Sequence, residues 1–248
     1  MQVVGLVSTL TIFFEVNIMD FQANEGKKLN IEIDGVEYIR IPVKTHVVMR
    51  EDDLGDTVDK YTKDIRKEGD IIFCSEKIIA ITQGRSFPID EIKPSRLAKF
   101  LVKFVYKSPY GIGLGSPYTM QLAIEDVGVP RIMLGCLAAL VTKPFGVRGA
   151  FYKVCGQKAY AIDGPCEYTI PPYNHYAKMA PKNPDKVARQ MKERLGNEFV
   201  VLDANDLNVD ILGKSSKSLD EKFLKALFKD NPLGQSSQQT PIAIVRKA

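Results

Sequence analysis

Hydrophobic and polar positions alternate with period two through LNIEIDGVEYIRIPV from Leu29, and Asp34-Gly35 separates two runs of β-branched and aromatic residues, which predicts an antiparallel hairpin. From about Thr57 to Lys67 the spacing changes. Val58, Tyr61 and Ile65 recur at helical intervals, Gly69 stops the helix, and Asp70 precedes the apolar strand IIFCS. KIIAIT reads as a second strand, ending at Gln83-Gly84-Arg85, and Pro94-Ser95-Arg96 opens the amphipathic helix RLAKFLVKFVY. Ser116 and Pro117 form an N-cap and first-turn pair for YTMQLAIEDV, which Gly128 terminates. RIMLGCLAALV is apolar on nearly every side, so it is expected as a helix central to the core.

Strands are predicted for AFYKVCG and KAYAID, followed by a proline-rich loop, GPCEYTIPPYNHYAKMAP, whose length points to a functional role. Asn183-Pro184-Asp185 caps the helix DKVARQMKERL, Gly196 ends it, and EFVVLD is a strand. Ser218 with Glu221 reads as a capping box for LDEKFLKALF, and PIAIVR as a terminal strand. This order of elements alone allows an α/β sheet as well as an α+β fold.

Composition narrows the function class. The 248 residues are 45% hydrophobic and 26% charged, within the globular range, and 34 Lys and Arg against 30 Asp and Glu give a net charge of +4. That basicity is too diffuse for nucleic acid and suits anionic small molecules. Cys74, Cys136, Cys155 and Cys166 form no CxxC pair, and two histidines cannot complete a zinc frame, so a catalytic metal would need oxygen ligands. No apolar run reaches the ~20 residues that span a bilayer, so the expectation is no membrane and a reducing, cytoplasmic location. Residues 1–18 are apolar but lack a basic start and a cleavage site, and read as an extension with its own strand or as a misassigned start before Met19. Residues 19–248 are expected as a single domain, divisible into two subdomains.

The candidate chemistry lies mostly after residue 108. Gly111, Gly113 and Gly115 precede Ser116 at a helix start, where exposed amides can cradle a phosphate or simply form a tight turn. Asp163 ends the apolar run AYAI, and Asp203 and Asp206 end FVVL. If adjacent, these exits would offer hard oxygen ligands for Mg²⁺ or Mn²⁺ with phosphates; singly, each carboxylate only caps a turn. Glu76 and Lys77 are charges inside an apolar run, consistent with a salt bridge in the sheet or, with Arg85, with cations that neutralise a transferred phosphoryl group. Gly213-Lys214-Ser215 lacks the first glycine and the helix of a P-loop and reads as a solvated turn. His46 is expected to pack in a strand. Cys166 and His175 could form a hydrolase pair, but no third group orients them.

Several blocks together carry a resemblance: EGDIIFCSEKIIAITQGR, Ile92-Lys93-Pro94-Ser95, AYAIDG, Ala180-Pro181-Lys182-Asn183-Pro184-Asp185, and a strand closing in Asp. Their order and spacing resemble the coenzyme F420-0:gamma-glutamyl ligase family. The resemblance implies an α+β fold with mixed, largely antiparallel sheets and packed helices, and a homodimer. It also implies a GTP- and Mg²⁺- or Mn²⁺-dependent ligase that joins L-glutamate to a carboxylate acceptor. Asp163 and one of Asp203 or Asp206 would hold the metal. Gly164-Pro165-Cys166 departs from the family's serine-asparagine pair, and the chain has no Trp for the family's later tryptophan block. The alternative is a non-catalytic nucleotide or metabolite binding protein on the same scaffold.

Overall fold

The structure, a computed structural model, describes residues 21–105, 112–147, 149–205, 208–234 and 237–248. The hairpin forms as expected: β1 (Asn30–Ile33) and β2 (Val36–Val43) pair antiparallel, and Asp34 (φ 51°) and Gly35 (φ 76°) adopt the two left-handed conformations that a tight two-residue turn requires. Helix α1 (Leu54–Thr62) then leads to β3 (Ile71–Ser75), helix α2 (Glu76–Thr82) and β4 (Ser86–Pro88). A helical run follows: α3 (Arg96–Leu101), α4 (Pro117–Val127), α5 (Val129–Thr142), α6 (Ala150–Cys155) and α7 (Gln157–Tyr160). The chain continues through β5 (Tyr176–Lys178), α8 (Pro184–Leu195), β6 (Glu198–Ala204), β7 (Val209–Lys214), α9 (Glu221–Leu227) and β8 (Ile242–Lys247).

The main sheet has the order β1-β2-β8-β3-β6-β7 and is antiparallel except between β3 and β6, while β4 and β5 form a separate two-stranded sheet. This is an α+β fold. Side-chain alternation in the central strands builds two cores at once. Ile72 and Cys74 of β3, with Phe199 and Val201 of β6, face α1, α2 and α8; Phe73, Val200 and Leu202 face α9. Gly213 of β7 meets α8 so closely that a Cβ would lie 2.4 Å from the Pro184 carbonyl carbon. A third core joins α3 to α7 with β5, around Met120, Ile132 and Ile162.

Several expectations need correction. KIIAIT is not a strand but most of α2: Ser75 caps it by accepting from the Lys77 amide (3.3 Å), and Ile78, Ile79, Ala80 and Ile81 are all buried. An apolar run buried all round carries the same signal in a strand as in a helix. AFYKVCG is likewise helical in α6, bracketed by Gly149 and Gly156, both at φ 78°, and of KAYAID the first three residues are helical in α7 while Asp163 forms an isolated bridge. The helix expected from Thr57 to Lys67 starts earlier, because Asp53 caps α1 through the Asp56 amide (2.8 Å). Asp220, not Ser218, caps α9, accepting from the Phe223 amide at 2.8 Å. Asn183 sits at φ 49° and makes no side-chain cap. Gly213 and Lys214 end β7 instead of forming a solvated turn.

His46 lies outside any strand. Its Nε2 is 2.9 Å from Asp52 and its Nδ1 3.0 Å from the Tyr61 hydroxyl. The largest correction concerns α5, which is helical as expected yet peripheral: it buries Ile132 and Gly135 and leaves Met133, Leu134, Leu137, Leu140 and Val141 exposed. Among the described residues no helix is long and apolar enough to cross a membrane.

Candidate functional site

The strand parity that fills the first core also sets the site. Ile72, Cys74 and Glu76 follow one another on one face of β3 and its continuation, and Phe199, Val201 and Asp203 do the same on β6. Past the last apolar residue, both rows end in an acid at the C-terminal edge of the parallel pair. In open sheets, that edge is where ligands gather.

Asp163 reaches this edge from another part of the chain. Ala161 and Ile162 are buried in the helical core, and the next residue forms an isolated antiparallel bridge to Lys178 of β5. The Asp163 amide donates to the Lys178 carbonyl at 3.0 Å, and the Lys178 amide donates to the Asp163 carbonyl at 2.8 Å. Asp163 is therefore held by strand-like pairing with β5 and does not lie at a strand exit. Gly164 keeps the next turn close: a Cβ there would lie 3.0 Å from Ile112 Cγ2 and 3.3 Å from Thr119 Cγ2, so the glycine loop and the start of α4 flank Asp163.

Two ammonium groups face this carboxylate. Lys178 Nζ lies 3.7 Å and Lys77 Nζ 4.0 Å from Asp163 Oδ2. Lys178 also donates to Glu76 Oε1 at 2.6 Å and to the Ala161 carbonyl at 3.2 Å. Its side chain is 8% exposed and that of Glu76 1%, whereas Asp163 and Lys77 are about half exposed. Glu76 Oε2 is buried without a hydrogen-bond partner.

The electrostatics follow from this crowding. Burial pushes the Glu76 carboxyl up to about 7; Lys178 opposes the shift, and Asp203 and Asp163 reinforce it. Burial works to lower Lys178, but Glu76 and Asp163 outweigh it and hold the ammonium above its ordinary value. Asp203 is raised, first by burial and then by Asp163, with Lys178 and Lys77 opposing. Asp163 and Asp203 thus share one field, although 40 residues separate them in the sequence. Asp210, the register partner of Asp203, and Tyr160 stand at the rim, where burial and then Asp210 and Asp203 push the phenol up.

The remaining sequence candidates fall elsewhere or partly in view. Arg85 is not brought into the cluster. Its guanidinium forms a buried ion pair with Asp126 (2.7 Å) and its Nε donates to the Ala180 carbonyl (2.5 Å), tying β4 to α4. Gly113 (φ 45°), Gly115 and Ser116 lie in the turn before α4. There the Gly115 amide is used by the Ile112 carbonyl (2.7 Å) and the Ser116 amide by Thr119 Oγ1 (3.3 Å), which leaves little free donor capacity. Gly111 and Asp206 lie outside the described residues. His175 lines a separate cleft of about 550 Å³ with Pro88, Pro172 and Tyr176, and no hydrogen bond joins it to Cys166.

Sequence reasoning missed Lys178. Its one signal was a lysine within the apolar stretch YAKMA, a charge that burial permits only with an acidic partner. That partner, Glu76, is 102 positions away.

Burial and the neighbouring Asp163 charge raise Asp203, and two carboxylates in one field suit a cation placed between them. Mg²⁺ commonly binds through one or two carboxylates, with substrate phosphates completing its shell. Asp163 and Asp203 fit that partial role. Among the described residues, no group of three or more His, Cys, Asp or Glu side chains is arranged to hold a metal by itself.

The family model for F420-0:Gamma-glutamyl ligase matches residues 42–204, about two thirds of the chain, from β2 to the end of β6. The chain belongs to the F420-0:gamma-glutamyl ligase family, and a ligase function of that type is what this membership supports. No curated protein matches the sequence.

Proposed function

We propose that the protein is a nucleotide- and divalent-metal-dependent ligase that joins the amine of L-glutamate to a carboxylate acceptor through an acyl phosphate, with GTP as the nucleotide and Mg²⁺ or Mn²⁺ as the metal. The observation that carries the reading is the convergence of Asp163, Asp203, Lys77 and Lys178 at one edge of the sheet. Asp163 and Asp203 are the residues that would hold the cation. When bound, it would neutralise phosphate oxygens and orient them for in-line transfer.

The chain's own groups do the rest. Lys77, half exposed on the first turn of α2, reaches over Asp163 and can donate to the transferred phosphoryl oxygens, while buried Lys178 fixes the cluster from beneath. An acceptor carboxylate oxygen attacks the terminal phosphorus and displaces the nucleoside diphosphate. The glutamate amine then attacks the activated carbonyl, forming the amide and releasing phosphate and a proton. Neither step needs a protein nucleophile, in keeping with the absence of a Cys166–His175 hydrogen bond. Residues 93–162, which include the glycine loop, contain ten Lys and Arg against two Asp and Glu, a balance that draws anionic substrates. The same reading takes the protein as a homodimer, with the exposed apolar face of α5 as its contact.

Release of GDP is expected only when L-glutamate and a carboxylate acceptor from a coenzyme-like panel are both present with Mn²⁺, and mass spectrometry should find the amide. Asp163→Asn or Asp203→Asn should lower turnover at least 100-fold. Nucleotide binding without GDP release under any acceptor would favour the non-catalytic reading.

A further inference from the structure

Resting on the reading above, we propose that this cluster accepts a divalent cation only as the complex with its nucleotide, because Lys77 and Lys178 hold the Asp163 carboxylate against the free ion. Both ammonium groups face the same atom, Asp163 Oδ2, at 4.0 and 3.7 Å. Lys178 is not a mobile surface lysine. Backbone hydrogen bonds of 2.8 and 3.0 Å fix its main chain to Asp163, and Glu76 and the Ala161 carbonyl fix its head. Glu76 is buried with one oxygen lacking any hydrogen-bond partner, an unfavourable arrangement whose visible return is the placement of that ammonium.

A free dication approaching Asp163 is attracted by Asp203 but meets the ammonium groups of Lys77 and of Lys178, the latter partly offset by Glu76 at 2.6 Å, and their like-charge repulsion weakens its binding. A metal bound to a nucleoside triphosphate reverses the sign. The complex is a net anion: its phosphate oxygens can accept charge-assisted hydrogen bonds from half-exposed Lys77, while the buried Lys178 charge attracts it from beneath. The two lysines therefore select the metal–nucleotide complex as the substrate and keep the acidic cluster from filling with metal beforehand.

The test is Mn²⁺ binding to the full chain, followed by electron paramagnetic resonance with and without GTP. In the wild type, Mn²⁺ should bind at least tenfold more weakly alone than with GTP. Lys77→Met, at a half-exposed position, should raise the affinity for Mn²⁺ alone at least threefold while lowering the affinity for Mn²⁺ with GTP at least threefold. The double variant Glu76→Gln with Lys178→Met leaves no buried charge unpaired and should move the two affinities in the same opposed directions. A lysine with a merely structural role would weaken both affinities or neither, and either result overturns the proposal. If the wild type binds Mn²⁺ equally with and without GTP, and Asp163→Asn abolishes that binding, the metal site stands and the selection mechanism falls. If the wild type binds Mn²⁺ under neither condition, both fall.

Discussion

The main sheet and the helical region are similarly apolar in sequence and differ in what covers them. Phe73, Phe199, Val200 and Val201 are fully buried, because α1, α2 and α8 close one face of the sheet and α9 the other. In the helical region α5 contacts mainly α6 and α4, and one long side of it is left exposed among the described residues. Hydrophobicity states what a residue gains by leaving water, and topology decides whether there is anywhere to go.

Substitution should expose that contrast at its largest. Phe199→Ala removes a fully buried ring from between β6 and α8, and a loss of about 3–5 kcal/mol is expected from urea unfolding. Leu140→Ala, at a side chain 72% exposed, should stay within about 0.5 kcal/mol when measured in the monomer. A comparable loss at both positions would mean that α5 packs against something within the same chain.

The seam between the two regions supplies the next effect. Glu76 belongs to the sheet side and Lys178 to β5 on the helical side, and the Glu76 carboxyl sits at about 7 against its ordinary 4.5. Between those values the folded chain keeps a proton that the unfolded chain releases, so this group's contribution is complete below pH 4.5 and lost as pH rises through 7. The span corresponds to roughly 3 kcal/mol. Asp203, also raised, acts with the same sign. Asp230 acts in the opposite sense: burial raises it, but Arg40 outweighs that and holds it below the ordinary carboxylate value, so its contribution is lost on acidification instead. Urea midpoints at pH 5, 6 and 7 should therefore fall with pH in the wild type and flatten in Glu76→Gln; parallel curves would refute the assignment to Glu76.

How much of this was legible in the sequence varied with the kind of signal. The hairpin at Asp34-Gly35 and the strands β3, β6 and β8 were readable because a turn dipeptide or a short apolar run bounded by polar residues states its conformation locally. α2 was not, since seven residues with four buried in succession have no period to display, and only Ser75 followed by Glu76 hinted at a helix start. Asp163 and Asp203 stood out as acids closing apolar runs, but their convergence depends on a bridge to β5 that no local pattern encodes. The ion pair that takes Arg85 away from the cluster was hidden for the same reason, because Asp126 lies on α4, beyond a long stretch of chain. The peripheral position of α5 is illegible because an apolar sequence states the helix but not what surrounds it.

The smallest effect on folding bears on what covers α5. Leu134, Leu137, Leu140 and Val141, at 55–72% exposure, are spaced by three, three and one along the helix and leave an apolar surface of the kind that marks an interaction site. If a second copy covers it, Leu137→Gln with Leu140→Gln should leave the urea midpoint of the monomer nearly unchanged, because neither side chain is buried within the chain. The same pair should raise the dimer dissociation constant at least 100-fold, since two polar amides would then be desolvated on each side of a two-fold contact. Analytical ultracentrifugation over a concentration series separates the two quantities. A dimer that survives the double substitution with unchanged affinity would place the contact on another surface, and the exposed face of α5 would then distinguish the helical region from the sheet for a reason other than self-association.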